Sequence, residues 1–158
     1  MLLTGCRTSS PCCTDIVKAA AETAGGVPQH RILSTSYDEN SRDYLNEEEI
    51  SFIYTGLRGK CGAFGLISDC AVLLSERPYV FEIHVIRART PGDVPSLKKL
   101  VEKRAALLTA YAGKAAEDDD NPFYGNPAEI IVCGTCVMLI ATPDNASVSE
   151  TLRRIVSK

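Results

Sequence analysis

The sequence predicts an α+β domain in which a single, mostly antiparallel sheet of about four strands is covered by a long central helix, with one further helix near each end of the chain. The first observation is the alternation of apolar and polar residues over 79–85, which is the period of a strand with one buried face. The second is the run from Leu97 to Tyr111, in which apolar residues recur every three or four positions, as on one side of a helix. The third is the order of the elements, because strands grouped ahead of a helix favour an antiparallel sheet over a βαβ repeat.

The size and charge of the chain limit the classes of protein to which it can belong. Its 158 residues suit one domain, which we assign to residues 14–158, preceded by a tether over residues 1–13. A formal net charge of -3, with the basic residues spread along the chain, argues against a nucleic-acid partner. No apolar run reaches the roughly 18 to 20 residues that a membrane-spanning helix needs.

The first half of the domain is predicted to contain one helix and one strand. The helix begins at Asp15 and ends at Ala24, where Gly25 and Gly26 stop it. Residues 30–40 are predicted to be irregular, and residues 41–45 to form at most one helical turn. A solvated acidic run over 47–49 then precedes a strand over 50–57, and the glycines at 59, 62 and 65 indicate a loop.

The second half is predicted to hold the rest of the sheet and two helices. Residues 70–74 and 79–85 form a hairpin, and the long helix follows the turn over 90–93 and ends near Gly113. After a charged loop over 117–122, one strand spans 129–141 with a bend at Gly134, and a capping box that starts at Ser147 opens the last helix. We expect the apolar strand face to pack against the long helix, which pairs Phe81, Ile83 and Val85 with Leu97, Val101 and Leu108.

The first residues of the chain contain a motif for lipid attachment. Leu3-Thr4-Gly5-Cys6 resembles the lipobox of bacterial lipoproteins, in which small residues precede a cysteine that is lipidated and becomes the mature N-terminus. A secretory signal needs an apolar core of about 7 to 15 residues before this site, whereas only Met1, Leu2 and Leu3 lead into the motif here. The chain is therefore expected to begin inside its own signal peptide. The alternative is that Met1 is the true start of a small cytosolic protein.

Four segments of the sequence carry a resemblance to a known family: a strand that contains Glu82-Ile83, an acidic turn at Asp93, Lys103-Arg104 in the middle of a helix, and a late strand with Gly134 at its centre. Together they resemble a family of uncharacterised lipoproteins of Gram-positive anaerobes, a domain of unknown function. The resemblance covers about 16–158. It implies an extracytoplasmic lipoprotein of α+β type and implies no activity.

The seven cysteines raise the question of thiol chemistry. If Cys6 carries lipid, six cysteines remain, and the sequence does not fix their pairing. Cys133 and Cys136 have the CxxC spacing of redox proteins, but within one continuous strand residues three apart point to opposite faces. Buried thiols that act as small apolar side chains are therefore favoured over a redox or metal role for Cys133 and Cys136.

The remaining candidates for a site are the two histidines and the acidic segments. Glu82 and His84 share one strand face, predicted to face water or a ligand, so they form a candidate binding pair, whereas His30 lies in a polar segment. Zinc-binding HExxH, nucleophile GxSxG and dinucleotide-binding GxGxxG motifs are absent from the sequence, and the acidic residues over 118–120 lack the spacing of a calcium loop. We predict no cofactor and no metal.

These observations favour a non-enzymatic binding or interaction module that is held at the outer face of the cell membrane by a lipid on Cys6 and binds an unidentified protein or small molecule. One alternative is a thiol-dependent redox enzyme of the cell envelope that uses Cys133 and Cys136. The other is the small cytosolic protein.

Overall fold

The structure is a computed structural model that describes residues 10–25, 27–76, 81–115 and 127–157. Over these residues it contains four α-helices and five strands. Their bounds in chain order are α1 Cys13–Thr23, β1 His30–Ser34, α2 Glu47–Thr55, β2 Ile67–Ser75, β3 Glu82–Ala88, α3 Val94–Ala115, β4 Glu129–Cys133, β5 Cys136–Ala141 and α4 Asn145–Val156.

The five strands form one antiparallel sheet in the order β1-β2-β3-β5-β4. The α+β class, the antiparallel sheet, the long central helix and the two terminal helices are confirmed, and the sheet has one strand more than the four predicted. The hairpin made by β2 and β3 is also confirmed. Because β3 lies in the middle of this order, both of its edges are paired, one with β2 and the other with β5.

The helices form a layer on each face of the sheet. On one face Ile83 and Val85 share a core with Ile16 and Val17 of α1 and with residues of α4. On the other face Val72, Ile86 and Leu139 share a second core with residues of α2 and α3, among them Tyr54, Leu97 and Val101. The expected packing of Phe81, Ile83 and Val85 against Leu97, Val101 and Leu108 is therefore wrong, because the two sets lie on opposite faces of the sheet.

The largest error in the predicted elements is the strand over 50–57, because residues 50–55 belong to α2 and Gly56 ends that helix. The Asn46 side chain accepts a hydrogen bond from the Glu49 N–H at 2.9 Å, and three glutamates occupy the first turn, where the helix dipole favours negative charge. Ile50, Ile53 and Tyr54 are buried, a helical spacing, whereas Phe52 is 46% exposed. The alternation of Ile50, Phe52 and Tyr54 was misleading because the acidic run before it belongs to the helix.

Two other segments differ from their predicted structure. Residues 30–34, predicted to be irregular, form the edge strand β1, and each of them pairs with β2. Residues 129–141, predicted to be one strand, form β4 and β5, which reverse at Gly134-Thr135. Gly134 has a φ of 57°, a left-handed conformation that favours glycine in a two-residue hairpin turn.

The terminal helices occur where they were predicted, with small differences at their ends. α1 begins at Cys13, the last residue of the assigned tether, and that residue is buried. α4 is capped by Asp144, which accepts a hydrogen bond from the Ser147 N–H at 3.1 Å, in place of the predicted cap at Ser147. Residues 79 and 80 of the predicted strand and the charged loop over 117–122 lie outside the described residues.

Substitution of Gly56 by alanine is expected to lower the free energy of unfolding by about 1 to 2 kcal/mol, because Gly56 ends α2 with a φ of 75° that costs this much in a residue with a Cβ. Gly62→Ala is a suitable control, since no positive φ is recorded there and an added Cβ meets no atom within 4 Å. Urea denaturation measures both variants. An equal effect of the two substitutions would contradict the helical end at Gly56.

Candidate functional site

Four polar side chains meet between β3 and the helices α2 and α3, and we call them the polar cluster: Tyr54, Glu82, His84 and Arg104. His84 is fully buried, Glu82 is 1% exposed and Arg104 is 8% exposed. The expectation that Glu82 and His84 face water or a ligand is wrong. The side of β3 that carries them is covered by α2 and α3 instead of facing solvent.

Arg104 and Glu82 form a charged pair inside this layer. The Arg104 Nε donates to Glu82 Oε2 at 2.9 Å, and Arg104 Nη2 donates to Glu82 Oε1. Arg104 Nη1 also donates to the carbonyl oxygen of Ile53 at 3.1 Å. The pair therefore connects α3 to β3 by a two-point interaction, the strongest type of arginine–carboxylate contact, and connects α3 to the backbone of α2.

His84 connects Glu82 to Tyr54. Its Nε2 is 3.0 Å from Glu82 Oε2, and its Nδ1 is 2.9 Å from the Tyr54 hydroxyl oxygen. Burial is the main cause that lowers the pKa of His84 below its ordinary value of 6.5, so the ring is neutral at neutral pH. An ionised Glu82 can only accept, which places the His84 proton on Nε2 and leaves Nδ1 to accept from Tyr54.

The ionised state of Glu82 has its own physical cause. Burial by itself raises the pKa of a carboxyl, but hydrogen bonds from His84 and Arg104 and the positive charge of Arg104 outweigh it and hold the pKa of Glu82 below its ordinary value of 4.5. Burial also raises the pKa of the Tyr54 hydroxyl well above its ordinary value. The polar cluster thus contains one negative group, one positive group and two neutral ones.

The hydrogen-bonding groups of the polar cluster have partners within the fold, and this limits the chemistry that the cluster can carry out. No buried side-chain nitrogen or oxygen in the described part of the chain lacks a hydrogen-bond partner. Tyr54 and His84 have no exposed surface through which a substrate could reach them. The arrangement holds two helices and the central strand in register, which is a structural role.

Acidification is expected to destabilise the protein in two steps. Between pH 6.5 and the lower pKa of folded His84, the unfolded chain binds a proton at His84 that the folded chain does not, so stability falls as pH falls through this window. A second loss begins below about pH 4.5, where unfolded Glu82 is protonated before folded Glu82. Urea midpoints measured from pH 8 down to pH 3 test this prediction.

Two histidine variants separate the contribution of His84. His84→Gln keeps an amide that can donate to Glu82 and is expected to flatten the stability profile between pH 6.5 and 4.5. His30→Gln makes the same change of side chain at the exposed histidine of β1 and is the matched control. If His84→Gln left the dependence of stability on pH unchanged, burial of neutral His84 would not be its cause.

The cysteines do not lie as the sequence predicted. Cys133 and Cys136 are directly opposite each other at the end of the β4–β5 hairpin, so the argument that they point to opposite faces is wrong. None of the six described cysteines is in a disulfide. The lipidation candidate Cys6 lies outside the described residues.

Within the described ranges, no three or more histidine, cysteine, aspartate or glutamate side chains are grouped so that they could hold a metal ion.

Two open clefts lie on the surface away from the polar cluster. The larger, about 620 Å³, runs beside β1, where His30, Arg31, Tyr37 and Arg42 line it, among others. His30 donates from Nδ1 to the carbonyl oxygen of Pro28 at 2.7 Å, and Arg31 is paired with Asp43. The smaller cleft, about 500 Å³, lies between the start of β4 and the start of α4. Both clefts are open to solvent, and none of the four residues of the polar cluster lines either of them.

Sequence reasoning missed the roles of Tyr54 and Arg104, and only one of them leaves a signal. Arg104 occupies a position in the apolar stripe of α3, between Val101 and Leu108 at helical spacing. A charged residue in such a stripe requires a buried partner, and Glu82 is the acidic residue in the predicted strand. Tyr54 carries no comparable signal, because the alternation in its segment predicts a strand.

Searches against protein-family models, curated proteins and solved structures found no match to this chain. In the described part of the chain, no helix has both the length and the apolar character that crossing a membrane requires.

Proposed function

We propose that this chain is a lipoprotein domain that Cys6 tethers to the extracytoplasmic face of the cell membrane, and that it works as a non-enzymatic binding or interaction module. The observation that carries the proposal is the segment Leu3-Thr4-Gly5-Cys6, which precedes a polar stretch and then a folded domain. Two or more acyl chains on one cysteine hold a protein at a membrane durably, whereas one chain does not.

The way in which the domain holds its first described residues supports a short tether. Arg87 Nη2 donates to the carbonyl oxygen of Pro11 at 2.7 Å, and the Cys13 N–H donates to the Asp69 carboxylate at 2.6 Å. The chain is thus fixed to the sheet from Pro11 onward. Between Cys6 and Pro11 an extended chain reaches at most about 18 Å. Lipid on Cys6 would therefore keep the end of the sheet where α1 begins close to the bilayer surface.

The polar cluster supports the non-enzymatic part of the proposal. Glu82 and Arg104 are two of the residues on which the resemblance to the lipoprotein family rests, and they form a buried pair that connects helix to strand. Their contribution is to the fold. Binding is then left to the surface, and the cleft beside β1 offers guanidinium, imidazole and phenol groups to a protein or small-molecule ligand.

Labelling with a fatty acid tests the tether. The gene with its own upstream sequence is expressed in a Gram-positive host that is fed radiolabelled palmitate, and label is expected in the wild-type protein and in Cys12→Ala but not in Cys6→Ala. Cys12 is the matched control because it is a nearby cysteine outside the lipobox-like motif. Absence of label from the wild-type protein, or its retention in Cys6→Ala, would rule out the anchor at Cys6.

A further inference from the structure

The β4–β5 hairpin places two thiols in the geometry of a cross-strand pair. Cys133 and Cys136 are register partners on either side of Gly134-Thr135. Directly opposed residues of antiparallel strands have Cα atoms about 4.5 to 5.5 Å apart, and disulfides join Cα atoms about 4.4 to 6.8 Å apart. Their side chains also lie on one face of the sheet, since both belong to the core beneath α1 and α4.

The two thiols differ in their access to solvent. Cys136 is 5% exposed, whereas Cys133 is partly exposed at the end of its strand. The Cys133 Sγ lies 3.6 Å from the Ser157 hydroxyl oxygen. On the neighbouring strand β3, Arg87 is the residue directly opposite Cys136. A disulfide reagent in solution can therefore reach Cys133 first, and Cys136 lies opposite Cys133, in position to react second.

The other described cysteines lack this combination of access and partner. Burial raises the pKa of the Cys13 and Cys70 thiols far above the ordinary value, with further contributions from Asp69, so both stay protonated and unreactive. Cys61 is buried. Cys12 is partly exposed, and its thiol is hydrogen-bonded to the Asp15 carboxylate at 3.1 Å.

We propose that Cys133 and Cys136 are a dithiol that a small-molecule disulfide oxidises to a reversible disulfide across the hairpin. The thiolate of Cys133 attacks one sulfur of the reagent, which forms a mixed disulfide and releases the first reagent thiolate. The thiolate of Cys136 then attacks the Cys133 sulfur, which forms the bond between the strands and releases the second reagent thiolate. The two cysteines lose two electrons and two protons, and the reagent disulfide gains both. The inference does not depend on lipid at Cys6.

Treatment with oxidised glutathione, followed by alkylation and trypsin digestion, tests the proposal. Trypsin releases both cysteines in one peptide, because no other lysine, arginine or cysteine lies between Lys114 and Arg153. The wild-type peptide is expected to resist alkylation and to be two hydrogen atoms lighter than the same peptide with both thiols reduced. Dithiothreitol is expected to reverse both changes. In Cys136→Ser the reaction is expected to stop at a glutathione adduct on Cys133, and in Cys133→Ser it is expected to be lost.

Cys12→Ser is the matched control, since it removes the other partly exposed thiol. In this variant the disulfide between Cys133 and Cys136 is expected to form at the wild-type rate. A wild-type peptide that remains open to alkylation would overturn the proposal. So would a glutathione adduct on Cys133 that Cys136 never displaces. Because the wild-type protein alone gives these results, the outcome does not depend on whether either serine variant folds.

Discussion

Replacement of Arg104 by methionine is expected to lower the free energy of unfolding by about 3 to 5 kcal/mol, the cost of leaving a buried charge without its partner. The charge left behind is that of Glu82, which is 1% exposed and loses two hydrogen bonds from the guanidinium. The carbonyl oxygen of Ile53 loses a donor as well. Urea denaturation at pH 7 measures the loss.

The adjacent lysine provides a control in the same helical turn. Lys103 is exposed, and Lys103→Met is expected to change stability by no more than about 0.5 kcal/mol. The double variant Glu82→Gln with Arg104→Met removes both charges and keeps an acceptor for His84, so it is expected to be more stable than Arg104→Met alone. Equal small losses for Arg104→Met and Lys103→Met would contradict a structural role for the pair.

Replacement of Ile83 by alanine is expected to lower the free energy of unfolding by about 2 to 5 kcal/mol. Ile83 is fully buried on the central strand, and a cavity there cannot be filled without movement of the strand or of α1. Because Ile83 lies beneath α1 and α4, hydrogen exchange of the α1 amides should accelerate more than that of the α3 amides.

Val132→Ala removes methyl groups from a strand residue that is 41% exposed and is expected to change stability by only about 0.5 kcal/mol. If hydrogen exchange in Ile83→Ala accelerated more in α3 than in α1, the assignment of the two faces of β3 to the two helix layers would be wrong. The comparison therefore tests the arrangement of layers, which the sequence did not predict.

The parts of the fold that the sequence predicts are those with strong local signals. α1, α3 and α4 have apolar stripes with clear starts or stops, and the β2–β3 hairpin has a short polar turn between apolar runs. For the α2 segment, the alternation of Ile50, Phe52 and Tyr54 predicts a strand. Its helical ends, Asn46 and Gly56, were the better signal, since they fix backbone hydrogen bonds and dihedral angles.

The polar cluster was not predictable from the pattern of β3 alone. Alternation along a strand shows that its two faces differ, and a strand with one polar face usually exposes it. Glu82 and His84 are buried because α2 and α3 cover that face and bring Arg104 and Tyr54 to it, through tertiary contacts between residues 22 and 30 positions apart. The hairpin at Gly134 was missed because one glycine in an apolar run predicts a bend as well as a turn.

The mass of the mature N-terminus tests the proposed function most directly. Protein purified from the membrane fraction of a Gram-positive host, digested and analysed by mass spectrometry, is expected to begin at Cys6 and to carry a diacylglyceryl group on its sulfur. A mature protein that retains the residues before Cys6, with an unmodified thiol at that position and recovery in the soluble fraction, would contradict the proposed membrane tether.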